Sequence, residues 1–194
     1  MISRLAALGA ACLALSACAV PVGPVEVARF HLPDTTALGH GSIAVTAGPG
    51  MDPGSLEIQS YQTAIERKLG ALGYSPASVD TADQIAQIRI ARSQIDDGLN
   101  TTRLGASAAG STHASVVGLG VAIPLGRAST RRIGTDLAVV IRDRASGKVL
   151  WEGRASFAVA ATSPLAQTQL GAPRLADALF ANFPGESGQT VLVR

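Results

Sequence analysis

Few side chains in this sequence could do chemistry, and their spacing keeps most of them apart. The 194 residues include three histidines and two cysteines. His31, His40 and His113 have neither i, i+4 spacing nor a cysteine partner, so no metal centre is expected. Asp96-Asp97 before Gly98 sets two carboxylates side by side, but this also describes a strand end entering a turn, and that is how it reads. Gly118-Leu119-Gly120 is followed by Pro124, with no Gly-Lys-Ser/Thr ending, so a phosphate cradle is not expected. No Gly-x-Ser-x-Gly elbow occurs, and no serine has an identifiable His and Asp around it. With no motif to name a reaction, the expectation is a protein that is not an enzyme and carries no cofactor. The exception is Cys18, a thiol that ends an apolar run directly after two small residues.

Residues 1–17 have the layout of a secretory leader: Arg4 near the start, an apolar stretch over 5–15, then Ser16-Ala17. Leu15-Ser16-Ala17-Cys18 resembles the lipobox of bacterial lipoproteins. In such signals the cysteine sulfur takes a diacylglyceryl group, the leader is cut before it, and the new amino terminus is acylated. Cys12 fits the pattern less well, because Gly9 stands where an aliphatic residue belongs. The apolar stretch falls short of the roughly 20 residues needed to cross a bilayer, so a permanent helix is not expected. More than one acyl chain holds a membrane stably, at about 0.8 kcal/mol per buried methylene. The resemblance therefore implies a domain attached to the membrane through a lipid on Cys18. Ala19 stands where an aspartate would retain a lipoprotein in the inner membrane. That implies the outer membrane, with the domain facing the periplasm.

Charge and cysteine use set further bounds. The chain has 16 Lys plus Arg against 14 Asp plus Glu, and loss of Arg4 with the leader leaves fifteen against fourteen, a net +1. Such a balance argues against a nucleic-acid partner. With Cys12 in the leader and Cys18 in the anchor, no internal disulfide is available. Stability then rests on a packed core, which 47% apolar residues permit. The chain beyond the leader has the size of one domain.

Residues 18–24 read as the lipidated cysteine and a proline-broken tether, and residues 25–194 as a single domain. Strands are expected at 25–32 and 41–46, joined as a hairpin. Over 56–72 the period changes to helical, with Tyr61, Ile65, Leu69 and Leu72 on one stripe, Ser55 at the cap and Gly73 at the end. Residues 84–92 form a strand with Ala86, Ile88 and Ile90 on one face and Gln87 and Arg89 on the other. The strongest hairpin signal joins 135–143 to 148–157 through Arg144-Ala145-Ser146-Gly147. Its second strand carries Val149, Trp151, Ala155, Phe157 and Val159 on one face, with Trp151 as the core anchor, and Glu152, Arg154 and Ser156 on the other. A last helical region over 164–183 is expected to break at Gly171-Ala172-Pro173, and 190–193 to add an edge strand. The expected fold is α+β, a two-layer sandwich of one antiparallel sheet against two helices.

Several of these residues carry a family resemblance. Leu69-Gly70-Ala71-Leu72-Gly73-Tyr74 at a helix end, Ala82-Asp83 opening a strand, and Leu150-Trp151-Glu152-Gly153 after a Ser-Gly-Lys turn look like the DUF4136 family of bacterial envelope lipoproteins. Phe180-Ala181-Asn182-Phe183-Pro184-Gly185 is similar to one branch of it. The resemblance implies an α+β domain on the periplasmic side of the envelope and brings no activity with it.

Residues 98–134 are rich in Gly, Ala, Ser and Thr, a composition costly in backbone entropy to order, and are expected to form a loop around a short strand at 116–123. Long loops in compact domains are functional or disordered. Arg127, Arg131 and Arg132 give its end a basic character suited to acidic headgroups or an acidic protein surface, a candidate partner-binding loop. The leading expectation is an outer-membrane-anchored adaptor or assembly factor that meets an envelope protein. The alternatives are a module holding a small apolar or lipid-like ligand between sheet and helices, and a peptidoglycan hydrolase with unrecognised catalytic groups.

Overall fold

A computed structural model describes residues 23–96 and 131–194. Its strands are β1 (Val25–His31), β2 (Ser42–Ala47), β3 (Ser75–Pro76), β4 (Gln84–Asp96), β5 (Arg131–Asp143), β6 (Val149–Ala160) and β7 (Thr190–Val193). The helices among the described residues are α1 (Leu56–Ala71) and α2 (Thr168–Leu179), the second preceded by a short 3-10 turn at Pro164–Ala166. All seven strands join one sheet in the order β3-β2-β4-β5-β6-β1-β7.

The sheet is mixed, which corrects the antiparallel expectation. β2 runs parallel to β3 and β4, and the remaining pairings are antiparallel. The cause is α1, which carries the chain from the end of β2 back to the start of β4, and a helical crossover of this kind joins parallel strands. The expected β1–β2 hairpin does not form either. β1 pairs with β6 and β7, while β2 lies beyond β4. Residues 32–41 instead pass the end of the β5–β6 hairpin, where the Leu32 amide donates to the Leu150 carbonyl. The hairpin itself forms as expected, and so do the edge strand β7 and the α1 stripe of Tyr61, Ile65 and Leu69. At the end of α1, Gly73 at φ 106° lets the Tyr74 amide reach back to the Leu69 carbonyl.

Strand alternation sends one set of side chains under the helices. Val25 and Val27 of β1, Ala86 and Ile88 of β4, Leu137, Val139 and Ile141 of β5, and Trp151 and Ala155 of β6 are all buried. α1 packs on β2 and β4, α2 on β6 and β1, and the helices on each other. Trp151 is fully buried, its ring 5.4 Å from and stacked on Phe180 and 5.3 Å from Phe183, and its indole N–H donates to the Pro184 carbonyl at 2.9 Å. A Cβ on Gly153 would lie 2.2 Å from this indole and 2.8 Å from Leu179, so the absence of a side chain there is what admits the ring. Val149 does not join this face as expected. A register shift beside Ile141 and Arg142 turns it outward, 36% exposed.

α2 runs through Gly171-Ala172-Pro173, where a break was expected. Proline already has helical φ, and the hydrogen bond it forgoes would have gone to the carbonyl of Gln169, an exposed residue that water can satisfy. Gly171 serves close packing: a Cβ there would sit 2.8 Å from the Leu165 carbonyl oxygen of the preceding turn. The far end of α2 is capped from the sheet. Arg29 of β1 is 6% exposed, faces the helices, and donates at 2.9 Å to the carbonyls of both Ala178 and Leu179. Burial pushes its pKa down, but guanidinium stays protonated in proteins, so a cation meets the negative end of the helix.

Aspartates close two turns and clamp one strand pair. Asp83 accepts from the Ser42 hydroxyl at 2.6 Å and the Ser42 amide at 3.0 Å, joining the starts of β2 and β4. Asp143 accepts likewise from the Ser146 hydroxyl and amide in the hairpin turn, and Asp34 from those of Thr36. In each case the hydroxyl bond first and the amide bond second hold the carboxyl below its ordinary value of 3.8. A pKa lower in the folded than in the unfolded chain adds stability above the ordinary carboxylate range. That stability is lost as pH falls through it.

Two outcomes are expected. Gly153→Ala should lower the urea midpoint at unchanged m-value by an amount equivalent to about 1–3 kcal/mol, the cost of overpacking a core. Gly70→Ala, at a helical position with nothing within 4 Å, should be neutral or stabilising, and equal effects of the two changes would refute the packing account. Converting Asp34, Asp83 and Asp143 to Asn should lower stability at pH 7 and flatten its decline below about pH 4, read from urea unfolding at pH 7, 5 and 3. An unchanged acid profile would remove these aspartates from the pH dependence.

Candidate functional site

The two faces of the sheet differ in kind. Side chains of opposite parity to the core project from the face that neither helix covers, and the strand register arranges them in rows. Ala91, Asp136, Ser156 and Glu26 lie across β4, β5, β6 and β1 in one row. The next row is Arg89, Ala138, Arg154 and Ala28, and the one after is Gln87, Val140, Glu152 and Phe30. An acidic row thus adjoins a basic row, with small residues between the charges.

This part of the face is a trough of about 650 Å³. Ala28, Ala91, Ala138 and Val140 contribute its floor, and Met51, from the segment after β2, borders it beside Arg89. Cross-strand spacing of about 4.8 Å puts the α-carbons of Arg89 and Arg154 roughly 10 Å apart, on either side of Ala138. Arg154 is ion-paired with Glu152 at 2.7 Å. The guanidinium of Arg89 and the carboxylates of Asp136 and Glu26 have no hydrogen bond or ion pair among the described residues. The Arg89 stem lies close to Gly48: a Cβ on the glycine would be 2.8 Å from Arg89 Cγ. The trough can bind a charged ligand: it offers a cation, two open anions and an apolar floor.

The residues singled out in the sequence are mostly elsewhere. Cys18, Arg127, His113, Asp97 and the Gly118-Leu119-Gly120 stretch lie outside the described residues. Arg131 and Arg132 are described, and they open β5 instead of ending a loop. The cause is that the β4–β5 ladder continues through Ser93↔Gly134 and Ile95↔Arg132 to Asp96↔Arg131, so 131–134 are paired strand. Arg132 donates to the Ala158 carbonyl at 2.9 Å. His31 has both ring nitrogens against carbonyl oxygens, Leu32 at 2.7 Å and Gly185 at 3.1 Å, which ties β1 to the segment after α2. His40 Nδ1 lies 3.3 Å from its neighbour's carbonyl, that of Leu38. No group of three or more His, Cys, Asp or Glu that could hold a metal occurs among the described residues. No helix there is long and apolar enough to cross a membrane. Strand alternation puts Arg89, and separately Glu152, Arg154 and Ser156, on wet faces, but it does not display the trough. Alternation shows which residues share a face of one strand, whereas the alignment of Arg89, Asp136 and Arg154 depends on a register between strands that sequence does not display.

An uncharacterised protein of Zymomonas mobilis is 30% identical over 80 residues, covering 40% of this chain and 30% of that protein. The match thus takes in less than a third of the curated relative's length. The PelC dodecamer from Paraburkholderia phytofirmans is similar in structure at 9% identity and a TM-score of 0.44, over 80% of this chain and 94% of that one. A PDZ domain protein from Parabacteroides distasonis is similar at 13% identity and a TM-score of 0.45, over 90% of this chain and 40% of that one. The domain of unknown function DUF4136 matches residues 49–185, from the segment after β2 to the turn beyond α2. The chain belongs to the DUF4136 family.

Proposed function

We propose that this protein is a lipid-anchored module of the bacterial envelope, held in the outer membrane through Cys18, facing the periplasm, and acting as a non-enzymatic adaptor or assembly factor. The observation that carries this reading is the open face of the sheet. In a two-layer sandwich both helices and the core lie on one side. The other side keeps a trough of opposed charges over alanines, a surface suited to docking. The tether adds to it. Val25 and Val27 are fully buried at the start of β1, so the chain leading from Cys18 enters the sheet between β6 and β7 and any pull on the anchor falls on paired strands.

Holding an apolar or lipid-like ligand between sheet and helices has less support. The recess between β2 and α1, bordered by Ile43, Val45 and Tyr74, is only about 10 Å³, and the surrounding space is filled by the core. The hydrolase reading has no residue constellation among the described residues to favour it, and release of muropeptides from purified sacculi is its direct assay.

Labelled palmitate should be incorporated by the wild-type protein and not by Cys18→Ser, which should also leave the membrane fraction. A photo-crosslinking residue replacing Ala138 should capture an envelope protein, and one replacing the exposed Glu66 of α1 should not. If Cys18→Ser keeps label and membrane association, the anchor is wrong. If both probes capture the same proteins or neither captures any, the open face is not the docking surface.

A further inference from the structure

The trough on the open face is specific enough in its chemistry to indicate a class of ligand. We infer that it binds a short peptide bearing both a free carboxylate and an ammonium group. This deepens, and rests on, the reading of the open face as the binding face.

The inference comes from the groups left unmatched there. Arg89 presents a guanidinium with no partner among the described residues, and guanidinium prefers a carboxylate that it can grip with two N–H groups. Asp136 and Glu26 present open carboxylates in the adjoining row, which call for a cation bearing several N–H donors. A ligand of one sign would satisfy one row and be repelled by the other, so the complement must carry both. Nucleic acid and anionic lipid are poor complements, since each would set phosphates against Asp136 and Glu26. The floor of Ala28, Ala138 and Val140 gives the apolar contact that short aliphatic side chains make. A volume of about 650 Å³ lies in the range of small-ligand sites and suits a few residues. A peptide lying across β5, with its carboxylate on Arg89 and its ammonium between Asp136 and Glu26, meets all of these requirements. No bond is made or broken, and the site recognises the peptide without cutting it.

Peptides of this charge arise as stem peptides of the cell wall and as ordinary L-peptides, and two probes separate the sources. The full-length protein in detergent is titrated by calorimetry with the stem tetrapeptide L-Ala–D-Glu–diaminopimelate–D-Ala, and with an all-L peptide of the same charge. A third titration uses the stem peptide with its amines acetylated and its carboxylates amidated. Saturable binding of either charged peptide, with at least tenfold weaker binding of the blocked one, is the expected result. Arg89→Ala and Asp136→Asn should each weaken binding about tenfold, Arg89→Lys should retain part of it, and Arg67→Ala on the exposed face of α1 should change nothing. These positions are exposed, and thermal unfolding of the variants confirms that the fold is kept. Absence of saturation at millimolar peptide, equal binding of the blocked peptide, or insensitivity to Arg89→Ala overturns the inference. Envelope crosslinks from position 138 without peptide binding would leave the adaptor reading standing and remove only this one.

Discussion

The rest of the domain depends on the seating of one indole ring. Trp151 lies flat over Gly153, stacks on Phe180, touches Phe183, and gives its N–H to the Pro184 carbonyl. This single side chain therefore joins the middle of the sheet to the end of α2 and to the turn after that helix. Buried aromatic surface and a satisfied donor act together here, since an indole N–H left without a partner would cancel part of the gain from burial. Arg29 reinforces the same junction from the neighbouring strand by taking the last carbonyls of α2. A strand near the start of the chain and a helix near its end are thereby fixed to each other, and the sheet closes around them.

The residues through which the sequence resembles the family all serve this construction. Leu69 to Tyr74 form the left-handed end of α1, with Gly73 at φ 106°. Ala82 is fully buried, and Asp83 clamps Ser42. Leu150 to Gly153 seat the indole, and Phe180 to Gly185 enclose it. Family membership accordingly speaks to how the chain packs. Of the charged residues that line the trough, Glu152 alone is among those residues, and Arg89, Asp136, Arg154 and Glu26 are not.

Much of the fold was legible in the sequence because its signals are local. The helix stripe of α1, the β5–β6 hairpin and the burial of Trp151 each arise from spacing within one or two adjacent elements. The misreadings share a different origin. Gly171-Ala172-Pro173 resembles a helix end, yet Gly171 makes room for a carbonyl from the preceding turn and Pro173 gives up a bond only to an exposed residue. The β1–β2 hairpin looked natural because the strands are neighbours in sequence, and it is prevented by β6, which pairs along the length of β1. Arg131 and Arg132 looked like loop residues because glycine-rich sequence precedes them, but their pairing with β4 is non-local. Of the candidate site, the wet parity of Arg89 on β4 and of Glu152, Arg154 and Ser156 on β6 could be read along single strands, but not how those strands align.

Two arginines on opposite faces of the same sheet show why binding belongs to the uncovered side. Arg29 is enclosed by the core, and both of its side-chain hydrogen bonds go to the α2 carbonyls; its loss would take that donor from both, leaving Ala178 only the Ala181 amide. Arg89 is exposed, makes no polar contact among the described residues, and contributes little to holding the fold together. An unpaired charge in water costs the folded state almost nothing, so stability gives no reason for an arginine to lie beside Ala138 with the open carboxylate of Asp136 in the adjoining row. Desolvation by a ligand reverses this, because guanidinium and carboxylates gain strength in a closed trough only if the ligand supplies both opposite charges. The arrangement is thus nearly neutral for the free domain and selective towards what docks on it.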